Sequence, residues 1–142
     1  MNINIMKPLA AGALSALALT LAACDGDDPK RSTIHSIDDA KAKLDASDLA
    51  CERWSPYPES EMAFCDLGGE QQTFSIVEME SSSMELYAAV KFDGDQDILE
   101  MVVGENWGFT CRLIPLTTCS EAAGVLGGEV LKRGDQGPEV VS

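Results

Sequence analysis

Residues 98–113 read ILEMVVGENWGFTCRL, and their reading decides the fold class. From Ile98 to Val103 the chain is apolar except for Glu100, as in a strand. Gly104-Glu105-Asn106 supplies turn residues, and 107–113 reads as the antiparallel partner, ended by Pro115. A second hairpin lies upstream. Residues 62–67 and 72–79 read as strands joined at Gly68-Gly69, with Phe74 and Ile76 alternating with Thr73, Ser75 and Val77.

Helical patterns surround both hairpins. Ser36 with Asp39 forms a capping box, and Ile37, Ala40 and Leu44 fall on one face of a helix running to near Asp48. After the serine run 81–83, Ser82 with Glu85 caps a second helix. Met84, Tyr87, Ala88 and Lys91 share its face, with Leu86 and Val90 beside them. Residues 93–97 read as a turn. Thr118 or Ser120 caps a third helix reaching about Leu126, and Gly127-Gly128 breaks it. The order helix, hairpin, helix, hairpin, helix predicts an α+β domain. It would hold a four-stranded antiparallel sheet with its helices on one face.

Two ends of the chain read differently. Residues 1–23 hold one base, Lys7, no acid, and an apolar run rich in Ala and Leu. That run is shorter than the roughly 20 residues that span a bilayer core, and it fits a secretory signal. It ends in Leu21-Ala22-Ala23-Cys24, which resembles the lipobox of bacterial lipoproteins. The resemblance implies cleavage before Cys24 and a diacylglycerol thioether on its sulfur. The chain would then face the extracytoplasmic side of the cell membrane. Residues 24–34 follow as an acidic flexible tether, 35–132 as the domain, and 133–142 as a disordered tail.

Removing residues 1–23 takes the chain from 142 to 119 residues and the net charge from −14 to −15. That length holds one small domain. Such acidity argues against nucleic acid, whose phosphates call for clustered Lys and Arg. It points instead to a basic envelope protein or a polycationic ligand, because opposite charge speeds encounter.

With Cys24 lipidated, Cys51, Cys65, Cys111 and Cys119 remain, an even number in an exported chain. Short loops close most easily, so Cys51–Cys65 and Cys111–Cys119 are the expected disulfides. Zinc sites favour close cysteine pairs two residues apart, unlike these spacings, and no metal or other cofactor is expected.

A wider resemblance extends from Ser36 to Gly128. It rests on Leu49-Ala50-Cys51, Cys65-Asp66-Leu67-Gly68-Gly69, Val102-Val103-Gly104-Glu105-Asn106-Trp107 before Cys111, and Val125-Leu126-Gly127-Gly128. Together these are similar to small lipoproteins of actinobacteria. The resemblance implies a compact exported domain and brings no particular activity.

The remaining motifs are weak. Asp93-Gly94-Asp95-Gln96-Asp97 invites calcium, but an EF-hand needs Gly sixth and Glu twelfth, where this chain has Ile98 and Gly104. His35 is the single histidine, with Ser36 and Asp38 as sequence neighbours rather than triad partners. Arg133-Gly134-Asp135 matches an integrin tripeptide on an expected tail. Trp54 and Tyr57 sit in a Pro-containing stretch, 52–60, that reads as a loop. They are the candidate binding residues there, since exposed aromatics anchor partners. The expectation is a non-enzymatic binding domain. The alternative is a small envelope hydrolase acting through paired carboxylates.

Overall fold

A computed structural model describes residues 31–78 and 83–141. Cys24, the export segment and the Ser82 cap lie outside them. Helix α1 (Ile37–Asp45) leads to strands β1 (Arg53–Tyr57), β2 (Met62–Leu67) and β3 (Glu70–Ile76). Helix α2 (Met84–Gly94) precedes β4 (Ile98–Val103) and β5 (Trp107–Arg112). Helix α3 (Leu116–Leu126) precedes β6 (Glu129–Lys132) and β7 (Glu139–Val140). One antiparallel sheet runs β1-β2-β3-β5-β4-β6-β7.

The α+β class and both hairpins stand as expected, but the sheet has seven strands rather than four. Three short strands account for the difference. Stretch 53–57, expected as a loop because of its prolines, is an edge strand, where Pro56 is tolerated. Gly127, at φ 83°, ends α3 and turns the chain into β6, whose Val130 and Leu131 are buried. The expected tail contributes β7, paired with Leu131 and Lys132.

The helices also lie on both faces, not one. Ile37, Ala40 and Leu44 of α1 and Cys119, Ala122 and Leu126 of α3 share a core with Ala63, Cys65, Phe74, Val102 and Phe109. Met84, Ala88 and Phe92 of α2 pack on Met101, Val103 and Leu131, which point the opposite way. Ser36 caps α1 as expected, accepting from the Asp39 N–H. Helix α3 starts earlier than expected, with Pro115 at its N-cap.

Both expected disulfides form. Cys51–Cys65 ties the exit of α1 to the middle of β2, and Cys111–Cys119 ties the end of β5 to α3. Residues 31–34 are packed onto the domain. Ile34 is buried, and the Asn106 side chain accepts from its N–H and donates to its carbonyl. The Ser32 carbonyl accepts from the Trp107 indole and the Glu105 N–H. Arg31 is ion-paired with Glu85 at 2.6 Å and Glu129 at 2.7 Å.

Candidate functional site

Burial along the strands shows where the sheet is left uncovered. Every residue from Trp107 to Cys111 in β5 is buried, so both faces are covered there. In β2 the pattern alternates: Ala63, Cys65 and Leu67 are buried, whereas Met62, Phe64 and Asp66 are half-buried. Helix α2 packs chiefly on β4 and β5. The outer half of its face is therefore a shelf. Tyr57 lies there, 51% exposed, with its ring edge-on to Phe64 at 5.1 Å.

The two candidate aromatics part company. Trp54 pairs with Cys65, so it points to the opposite face from Tyr57 and packs toward Phe74 at 6.4 Å. It is half-buried at the rim of the core formed with α1 and α3. Tyr57 remains as an exposed aromatic, and Phe64, Met62 and Val90 join it as residues that sequence reading did not select. Alternation in β2 was a usable signal for Met62 and Phe64.

Beside the shelf, across the Phe64↔Thr73 pair, lies a groove of about 680 Å³ under the C-terminal half of α2. Gln71, Thr73, Thr110 and Arg112 supply the sheet side, and Val90, Lys91 and Asp95 the helix side. The groove exists because β3 and β5 separate there. Their ladder runs from Phe74↔Phe109 to Ile76↔Trp107 and goes no further. Beyond it the buried Gln72 amide acts as a substitute strand residue. It accepts from the Arg112 N–H and donates to the Arg112 carbonyl. The Thr73 N–H donates to the Thr110 hydroxyl, which in turn donates to Gln72. Replacing Gln72 by Leu keeps the volume and orphans these groups. An orphaned buried polar group costs about 1–3 kcal/mol. A urea midpoint unchanged in Gln72→Leu would refute this role.

The acidic turn is occupied internally. The Arg112 guanidinium donates to Asp95 at 2.8 Å and Asp97 at 3.0 Å, and Glu70 lies at 3.8 Å. The Asp97 backbone N–H, and then Arg112, hold the Asp95 carboxyl below its ordinary range. Among the described residues no cluster of three or more His, Cys, Asp or Glu is placed to hold a metal ion. Arg133 is likewise engaged: it donates to the Asp95 and Ile98 carbonyls and lies over Phe92 at 5.2 Å. Its guanidinium closes the turn before β4, which accounts for the Arg-Gly-Asp match as a structural feature.

His35 is exposed beside the α1 N-terminus, and Ser36 accepts a capping bond there. Burial pushes the Glu100 carboxyl up, but its cross-strand neighbour is Lys132 rather than a second acid. Burial also pushes the Tyr87 hydroxyl up. Tyr87 packs onto Gly108, where an added Cβ would stand 2.6 Å from its ring. No described helix is long and apolar enough to cross a membrane. Comparison with protein-family models, curated proteins and solved structures returned no match.

Proposed function

We propose that the chain is a lipid-anchored, non-enzymatic binding domain on the extracytoplasmic side of the cell membrane. A diacylglycerol on Cys24 holds it there, and the half-covered sheet meets a partner. The observation that carries the binding reading is the bare shelf: an exposed Tyr57 on Phe64, which neighbours Thr73 of a polar groove. The hydrolase alternative needs two facing carboxyl groups. The raised carboxyl, Glu100, faces Lys132, and Asp95 in the groove is held low beside Arg112.

The anchor reading rests on the Leu21-Ala22-Ala23-Cys24 sequence, and two disulfides in the domain agree with export. Residues 25–30 separate Cys24 from Arg31, a reach of at most about 25 Å. Arg31 is fixed at Glu129, which pairs with Val103 at one end of β4; Ile98 at the other end lines the groove. The groove therefore opens at the end of the sheet remote from Arg31, whereas Tyr57, joined to Glu129 by the cross-strand row Met62, Ser75, Gly108 and Val103, lies at the Arg31 end.

Cys24→Ala is expected to abolish incorporation of labelled fatty acid, because only the thiol carries the lipid. Undiminished labelling would remove the anchor. For the binding half, a photo-crosslinker at Tyr57 in cells should give a discrete adduct, while one at Lys43 on exposed α1 should not. Equal adducts from both positions, or none from either, would count against it.

A further inference from the structure

We propose that the corner between the shelf and helix α2 receives a basic segment of a partner protein. This deepens the binding reading above and rests on it. The segment's apolar side chains would lie on Tyr57, Phe64 and Val90. Its Lys and Arg side chains would reach the carboxylates at the rim.

Apolar exposure on both walls sets the first requirement. Val90 is 62% exposed on the helix wall, and Leu86, 63% exposed, stands one turn earlier on the same edge. Tyr57 and Phe64 form the floor. Thr73 lies between them, paired with Phe64 in the sheet and lining the groove with Val90, so an extended segment crossing it meets apolar side chains on both sides.

Charge sets the second requirement. Glu59, which lines a depression with Tyr57, and Glu61, in the turn before Met62, are exposed, and no ion pair among the described residues engages them. Of the bases nearby, Arg53 pairs with Asp66 and Arg112 with Asp95 and Asp97, which leaves Lys91, over the Tyr87 ring, as one positive charge against Glu59 and Glu61. The whole chain carries −14, so a second copy would bring like charge to the same corner. Anionic lipid head groups are disfavoured for the same reason. A cationic segment is the occupant that these charges attract.

The test uses the full acylated chain in phosphatidylcholine nanodiscs and fluorescent decapeptides, with empty nanodiscs as background. The probes are an alternating Lys-Val peptide, a Lys-Ser peptide of equal charge and a Glu-Val peptide. The Lys-Val peptide should bind most tightly. Its affinity should fall as salt is raised through about 0.15 M, where screening acts beyond about 8 Å. Tyr57→Ser and Val90→Lys should each weaken it about tenfold, the scale of losing one anchoring contact. Val90 is exposed enough that its replacement tests the site even if Tyr57→Ser disturbs β1. No Lys-Val binding, equal Lys-Ser binding, preference for Glu-Val, or indifference to Val90→Lys would each overturn the proposal. So would a dimer in light scattering that Val90→Lys dissociates, since the corner would then hold a second copy. If the peptides fail while Tyr57 still cross-links in cells, the corner's ligand is wrong but the binding domain stands. If Tyr57 cross-linking fails as well, the binding reading itself falls.

Discussion

Reduction of both disulfides is expected to destabilise the domain by about 5–6 kcal/mol, enough to unfold most of the population. The two bonds close loops of 14 and 8 residues, each worth about 2.5–3 kcal/mol in the loop-entropy account. Small domains have about 5–15 kcal/mol in total, so the loss is a large fraction. The two are not interchangeable. Cys51–Cys65 secures edge strand β1, which otherwise pairs only with β2, so its loss should fray the shelf first. Cys111 and Cys119 are both buried in the core between α3 and the sheet, so their replacement also opens a cavity. In the pair variant Cys51→Ala/Cys65→Ala, hydrogen exchange should accelerate in β1 beyond its rise in β4. In Cys111→Ala/Cys119→Ala it should rise in both. Matching urea midpoints for the reduced and oxidised chains would refute the estimate.

What the sequence disclosed followed the strength of its periodicity. Residues 98–103 and 62–67 were legible because apolar runs and glycine turns bound them tightly. The same run in β4 held a further signal. Met101, Val102 and Val103 are consecutive apolar residues, and a strand of that kind is covered on both sides. Helices on one face alone would leave one side of that run bare, which is why α2 lies opposite α1 and α3. The three added strands were less visible. β6 has four residues and β7 two, too short for periodicity to register against the glycines beside them. In β1, Pro56 looked like a breaker, although a sheet edge accepts it. The candidate site was legible to the extent of Tyr57. Trp54 and Tyr57 lie three residues apart, and an odd separation in a strand puts them on opposite faces. Once 53–57 was read as a loop, that rule had nothing to act on. The groove was beyond reach from sequence, because it depends on Gln72, a side chain, replacing backbone between β3 and β5.

Trp107→Ala is expected to cost about 3–5 kcal/mol, the range for deleting a large buried aromatic. Trp107 is fully buried, with Phe74 at 5.7 Å, and its indole N–H donates to the Ser32 carbonyl at 2.9 Å. The surrounding chain is shaped to it. A Cβ on Gly128 would stand 2.8 Å from the Trp107 ring and 2.6 Å from the Val103 carbonyl, and a Cβ on Gly104 would overlap the indole. The cavity left by Ala cannot collapse easily, since β4 and β5 fix its walls through the Val103↔Gly108 pairing. Trp107→Phe separates the two contributions. It keeps most of the packing and loses the bond to Ser32, so it should cost roughly the 0.5–1.5 kcal/mol of one hydrogen bond, plus part of the lost volume. The Ser32 bond also ties the core to the segment 31–34 that precedes α1. Loss of the indole should therefore loosen Arg31 from Glu85 and Glu129, exposing the Arg31–Ser32 peptide bond to trypsin. Wild type should resist cleavage there, Trp107→Phe should show moderately faster cleavage, and Trp107→Ala should be cut fastest. If Trp107→Ala melts with wild type in urea, or if Arg31 is cut equally fast in all three, then Trp107 joins neither the core nor the mooring as described.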